Sequence, residues 1–273
     1  MKGAGLDLSG KVALVTGAAS GLGKGAALAM ARYGANICVL DIDEDNGERV
    51  AREVRDQGRE ALFIRADMLD ETQIDEAIGA VKQHFGRLDI LVNNVGGSRN
   101  KSFLEQSRRS IRRHIFLNLE SAMYLTQGVV PMMIEGGRGG VIINVASTEA
   151  LRAAPGFAVY AACKAGMVSF TKTLALELAG HNIRSHALAP DLIETEGLKA
   201  LDTAVSDAQK EARSRYVPLG RMGSPAEFGN VVAFLASDMA SYLNGTTLPV
   251  DAGATAASGW YRDPDNNWCL YHA

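Results

Sequence analysis

The chain has 273 residues, 47% hydrophobic and 22% charged, with a formal net charge of −3; such values fit a soluble globular protein and exclude a largely disordered one. The charge signs are well mixed, which argues against nucleic acid or an anionic membrane as partner and leaves a small-molecule substrate as the expectation. Cys38, Cys163 and Cys269 are odd in number and widely spaced, which suggests neither a disulfide framework nor a metal site. Nothing resembles an export leader or a spanning segment, so a cytoplasmic location is expected.

The first apolar run, Lys11–Thr16, reads as a strand, and Gly21–Tyr33 has the three- and four-residue apolar spacing of a helix. Between them lies Thr16-Gly17-Ala18-Ala19-Ser20-Gly21-Leu22-Gly23, spaced G-x-x-x-G-x-G. Glycines at such a turn let the backbone approach a pyrophosphate, whose charge suits the free N–H groups of the following helix. A plain strand-to-helix turn is the structural alternative. The second strand, Ala35–Leu40, runs into Asp41 and Ile42. A carboxylate there can accept hydrogen bonds from an adenosine ribose and repels a 2′-phosphate, so NAD is expected over NADP; the alternative is a helix N-cap. Helix Asp43–Gln57 and strand Ala61–Ile64 follow, with Asp67 placed to meet an adenine amino group beside Met68.

Helix Thr72–Phe85, strand Leu88–Val92, helix Ser107–Ile134 and strand Val141–Val145 continue the alternation. Next come helix Ala158–Leu178, strand Ile183–Leu188, helix Pro225–Ala236 and strand Thr246–Val250. Strands apolar throughout, alternating with helices, predict a single α/β domain over residues 1–273: a doubly wound Rossmann fold with a seven-stranded parallel sheet and helices on both faces.

Helix Ala158–Leu178 carries Tyr160 and Lys164, four apart on one face, after a strand that ends near Ser147. A tyrosine hydroxyl titrates near about 10, and a neighbouring ammonium favours the phenolate, so Tyr160 is a candidate general acid/base. Ser147 would donate to the substrate oxygen as its charge develops. Tyr-x-x-x-Lys alone is common on helix surfaces.

Together with Asn93-Asn94-Val95-Gly96, Asn118, Pro190 with Thr195, and the closing Val250-Asp251-Ala252-Gly253, these residues resemble the short-chain dehydrogenase/reductase family from Leu8 to about Ala254. The resemblance implies a tetrad of Asn118, Ser147, Tyr160 and Lys164, with Asn118 holding a water that links Lys164 to a proton relay. A mid-helix polar residue satisfied by backbone is the alternative for Asn118. By the same resemblance Gly17, Ser20, Gly21, Leu22, Gly23, Ile42, Met68 and Gly96 line the cofactor. It also sets Asn94 on a ribose, Lys164 with Tyr160 at the nicotinamide ribose, and Pro190, Ile193 and Thr195 beside the carboxamide. Ser20 replaces the basic residue that NADP-dependent relatives often carry, and Lys24 lies one turn further on. Relatives usually form homotetramers through the two long helices.

Several positions depart from the family. Val95 replaces an alanine and should crowd the adenosine side slightly, and Asp191 stands where Pro-Gly is usual, near His186. Asp191 is expected to shape substrate choice, or to be a solvated or His186-paired carboxylate. Glu149 either lines the pocket or faces solvent. The basic run Arg108-Arg109-Ser-Ile-Arg112-Arg113-His114 reads as a solvated or intersubunit face rather than an anion site.

Residues 191–216 form the expected substrate loop, and the aromatic extension 254–273 is expected to pack on a neighbouring subunit. The leading expectation is NAD-dependent oxidation of a secondary alcohol, apolar or cyclic like a hydroxysteroid, since Val95, Leu151, Phe157 and Leu192 fall near the pocket. Substrate contacts are assigned to Ser147, Glu149, Tyr160, Asp191 and Leu192. Reduction of a 3-oxoacyl thioester or a sugar ketone is the second enzymatic reading, and a non-catalytic dinucleotide sensor is the reading of another class.

Overall fold

Val12–Thr16 forms β1, buried along its whole length because helices cover both faces of the sheet it belongs to. In chain order there follow α1 (Gly21–Arg32), β2 (Asn36–Asp41), α2 (Glu44–Asp56), β3 (Ala61–Arg65), α3 (Glu71–Phe85) and β4 (Ile90–Asn93). The second half has α4 (Arg108–Ile115), α5 (Ser121–Glu135), β5 (Gly140–Val145), α6 (Ala158–Glu177), β6 (Ile183–Pro190), α7 (Asp207–Tyr216), α8 (Pro225–Ala236) and β7 (Thr247–Val250). The computed structural model describes residues 5–196 and 205–270. The eight positions between these ranges belong to the substrate loop, so that part of the expectation lies outside the described residues.

The sheet is parallel throughout, in the order β3-β2-β1-β4-β5-β6-β7, as the strand–helix alternation predicts. The order reverses beside β1, between β1 and β4, and this switch point opens a crevice at the carboxyl ends of the strands. One apolar layer, including Met30, Val39, Val50 and Phe228, lies beneath α1, α2 and α8, and a second, including Ile74, Leu91, Leu125 and Met133, lies beneath α3 and α5. No described helix is long and apolar enough to cross a membrane.

Two segments differ from the sequence expectation. The single helix expected over residues 107–134 is three pieces, α4, a turn of π type (Phe116–Glu120) and α5. An extra residue in that turn swings Asn118 inward to complete burial, and single π turns of this kind recur at functional sites. The extension forms a short turn of helix, α9 (Ala254–Ala257), and then a two-stranded antiparallel hairpin of β8 (Tyr261–Arg262) and β9 (Trp268–Cys269). Arg262 stacks over Trp268 at 4.5 Å and also donates to the Asn266 carbonyl.

Candidate active site

The turn after β1 places Gly17 and Gly21 at φ of +63° and +51°, where a side chain is strained. Gly23 is needed for a different reason: a Cβ there would fall 2.1 Å from the Gly17 carbonyl oxygen, so only glycine lets α1 start this close to β1. Asp41, at the end of β2, faces this turn. Its Oδ2 accepts from the Ala19 N–H at 2.9 Å and its Oδ1 from the Asp43 N–H at 3.0 Å. The cap of α2 is Asp43, which accepts from the Asn46 N–H, so the N-cap alternative for Asp41 falls away. Lys24 is paired with Glu53 at 2.7 Å. Glu196, from the substrate loop, puts Oε2 2.9 Å from the Gly21 N–H at the start of α1, a contact that no local pattern signals.

Beyond β4 the chain crosses the catalytic side. Asn94 donates from Nδ2 to the Thr16 and Gly17 carbonyls and from its backbone to Thr16 Oγ1, tying β4 to the glycine turn. A Cβ on Gly96 would lie 2.8 Å from Asn118 Oδ1 and 2.9 Å from Lys164 Nζ, so glycine here is what lets the ammonium come in. Asn118 clamps the same strap: Oδ1 accepts from the Gly97 N–H at 2.8 Å, and Nδ2 donates to the Gly97 and His114 carbonyls. The Asn118 amide is thus satisfied by backbone partners, as its structural alternative expects.

Ser147 follows β5 and caps a tight turn, its Oγ accepting from the Glu149 N–H at 3.2 Å. Tyr160 lies in the first turn of α6, and Lys164 Nζ sits 5.7 Å from its ring centroid while donating to the Val145 carbonyl at 2.8 Å. Burial pulls the Lys164 pKa down to about 8. Burial also pushes Tyr160 above its ordinary value of 10.0, with hydrogen bonding to Ser147 opposing this and the Glu149 charge adding to it. The expectation that Lys164 lowers Tyr160 is not met, because desolvation dominates both groups. A protonated tyrosine beside a serine hydroxyl can donate to a developing alkoxide, and at high pH the same oxygen can accept the proton back.

These elements enclose one cavity of about 760 Å³, within the usual range for small-molecule sites. Ser147, Tyr160, Lys164, Asp41, Gly17 and Thr195 all line it, together with the expected Ser20, Gly21, Leu22, Ile42, Asn94 and Gly96 and the loop start Pro190 to Ile193. Gly23 and Asn118 act from behind the wall. Asp67 and Met68 are absent from the lining; Asp67 instead accepts from the Leu69 N–H in a local turn, and Met68 is buried. Val95, Phe157 and Leu192 line the cavity, whereas Leu151 borders a second cavity of about 540 Å³ between α7 and the extension. The turn glycines and Asp41 fit a dinucleotide, whose phosphates would take the place of the Glu196 carboxylate at the start of α1.

Asp191 does not pair with His186. Arg184 takes that role, its Nη1 lying 3.0 Å from His186 Nε2, and burial with that neighbouring charge lowers His186 to about 4. Asp191 Oδ2 instead accepts from the Tyr216 hydroxyl at 2.9 Å and from Arg152 Nη2 at 3.2 Å. Arg152 also holds Glu149 Oε1 at 2.9 Å, so Glu149 is neither free in solvent nor on the cavity wall. Neither Arg152 nor Tyr216 carried a sequence signal. Among the described residues no cluster of metal-ligating side chains occurs.

The family described as Enoyl-(Acyl carrier protein) reductase matches residues 17–255. The 3-oxoacyl-[acyl-carrier-protein] reductase FabG of Thermotoga maritima is 41% identical over 248 residues, 91% of this chain and 99% of that protein. Oxidoreductase UcpA of Salmonella typhimurium is 37% identical, covering 91% of this chain and 95% of its own length. Among solved structures, a 7 alpha-hydroxysteroid dehydrogenase complexed with NADH and 7-oxo glycochenodeoxycholic acid superposes with a TM-score of 0.85 at 34% identity, over 91% of this chain and 95% of that one. With its glycine turn, its Tyr160–Lys164 pair and these relatives, the chain belongs to the short-chain dehydrogenase/reductase family of oxidoreductases.

Proposed function

We propose that the chain reversibly oxidises a secondary alcohol to a ketone with NAD, using Tyr160 as the proton-transfer group. The observation that carries this reading is one continuous cavity, lined at one end by Ser147, Tyr160 and Lys164 and at the other by the glycine turn and Asp41. A bound nicotinamide supplies the hydride acceptor. Ser147 holds the substrate oxygen, the Tyr160 oxygen takes the hydroxyl proton as the carbinol carbon gives up its hydride, and Lys164 and Asn118 fix the floor of the site. In reduction the Tyr160 proton returns to the carbonyl oxygen.

Three features support NAD: Asp41 holds its carboxylate at the end of β2 in the expected ribose site, Ser20 offers no positive charge, and Lys24 is engaged by Glu53. The similar hydroxysteroid dehydrogenase was solved with NADH. The second reading, reduction of a 3-oxoacyl thioester with NADPH, draws support from the 41% identity to the Thermotoga maritima reductase. For the substrate itself, Val95, Phe157 and Leu192 support an apolar or cyclic body. We further propose a homotetramer built on α5 and α6, where Tyr124 and Leu176 are exposed, to be checked by light scattering.

The test is NADH formation at alkaline pH over a panel of secondary alcohols, repeated with NADP⁺. The expected result is turnover with NAD⁺ that Tyr160→Phe abolishes. No turnover by wild type, or full turnover by the Phe variant, overturns the catalytic reading, and a preference for NADP⁺ overturns the cofactor assignment.

A further inference from the structure

We infer that Asp191 is a substrate-reading carboxylate, and that the preferred alcohol carries a second hydroxyl beside the carbon that is oxidised, as a vicinal diol does. The inference rests on the catalytic reading of the cavity. Asp191 lines that cavity together with Ser147 and Tyr160, and its side chain keeps only 12% of its surface open. Both of its protein donors, the Tyr216 hydroxyl and Arg152 Nη2, go to Oδ2. Oδ1 has no donor among the described residues, and a carboxylate oxygen in so restricted a site calls for one.

Charge narrows the ligand class. Arg152 is shared between Asp191 and Glu149, so two carboxylates face one guanidinium and the cluster stays net negative. A substrate carboxylate or phosphate would be repelled there, while a neutral hydroxyl supplies the missing donor. An apolar alcohol of the same size would strip water from Oδ1 and return nothing, and a site built to bond a hydroxyl discriminates strongly against the analogue that lacks it.

The cluster also explains how the carboxylate is kept in place. Asp191 opens the substrate loop and Tyr216 ends α7 at its far side, so their 2.9 Å bond fastens the two ends of the loop at the cavity edge. Arg152 anchors both to the turn that Ser147 caps. Tyr216 is thus a positioning residue, acting on the substrate only through Asp191.

The experiment compares kcat/KM for cyclohexane-1,2-diol and cyclohexanol, using the full chain with NAD⁺. Wild type should favour the diol at least about tenfold, the factor one good hydrogen bond supplies. In Asp191→Ala the diol-to-monool ratio should collapse toward unity, and Asp191→Asn serves if the alanine variant does not accumulate folded. Tyr216→Phe should keep the preference but raise KM for the diol. Equal use of both alcohols by wild type, or a ratio unmoved by both Asp191 substitutions, overturns the inference alone. Absence of turnover with either alcohol overturns the catalytic reading beneath it.

Discussion

Gly96→Ala is the sharpest probe of the tetrad, because it adds one methyl and alters nothing else. Gly96 does not have a positive φ, so alanine can adopt the backbone and the cost is purely steric. The new carbon would sit 2.8 Å from Asn118 Oδ1 and 2.9 Å from Lys164 Nζ. Neither neighbour gives way cheaply: Asn118 is fully buried with its amide bound to Gly97 and His114, and Lys164 is held on the Val145 carbonyl. Overpacking of this kind costs about 1–3 kcal/mol. Taken from the transition state by a displaced ammonium, that is a loss of about 5- to 150-fold in kcat/KM. Taken from the fold, it lowers Tm by roughly 2–4 °C per kcal/mol in a domain of this size. Steady-state NADH formation and a thermal melt on the same preparation measure both. A variant with wild-type kcat/KM and wild-type Tm would show that the strap is slack and that the close packing of Gly96, Asn118 and Lys164 carries no function.

Three further outcomes follow from the same site. Lys164→Met should abolish turnover yet stabilise the protein at neutral pH. The folded-state pKa of about 8 lies below the ordinary 10.5, so burying the ammonium costs on the order of 3 kcal/mol below pH 8, and the cost fades between pH 8 and 10.5; a chemical melt showing no gain at pH 7 would count against this. Because burial raises the Tyr160 hydroxyl above its ordinary value, kcat/KM for alcohol oxidation, which reports the free enzyme, should keep rising with pH well past neutrality, and a plateau near neutrality in that profile would contradict it. Glu196→Ala should tighten NADH binding about fivefold, roughly 1 kcal/mol for an exposed charged hydrogen bond, because the carboxylate on the Gly21 N–H occupies the anion position at the start of α1. Unchanged or weaker affinity in a fluorescence titration would remove Glu196 from that role.

Local features were legible and long-range ones were not. Strand and helix positions follow from apolar period and turn chemistry, which act within a few residues, so β1 to β7 fall within a residue or two of the expected runs. The glycine turn, Asp41 and the Tyr160–Lys164 pair could be read for the same reason, each being a spacing along one segment. The π turn at Asn118 could not, since Arg108–Glu135 keeps helical composition throughout and the Gly97 partner that Asn118 meets there lies 21 residues away in the chain. The Glu149–Arg152–Asp191–Tyr216 cluster joins three stretches of chain, and Asp191 and His186, close in sequence, turned out to have separate partners. Asp67, placed after β3 where a cofactor contact is expected, also closes a local turn, its Oδ1 accepting from the Leu69 N–H.

The extension shows most plainly how local chemistry and tertiary context divide the work. Its aromatic content called for cover, and the described chain supplies part of it: β8 lies against α7, and α9, Trp260 and Tyr261 wall the cavity that Leu151, Arg152 and Tyr216 share. Trp260 and Trp268 nonetheless keep 47% and 45% of their surface open. If the hairpin's work is to hold α7 and so the Tyr216–Asp191 bond, truncation after Gly253 should raise KM for the alcohol by about tenfold, or ~1.4 kcal/mol, while the assembly keeps its size. If its work is instead to clasp a neighbouring subunit, light scattering will show a smaller assembly. These are the only two tryptophans in the chain, so tryptophan emission, excited to the red of tyrosine absorption, reports on the extension alone. Emission that shifts when NAD⁺ and alcohol are added together, but not with NAD⁺ by itself, would tie the hairpin to substrate binding; a truncated enzyme with unchanged KM would sever that tie.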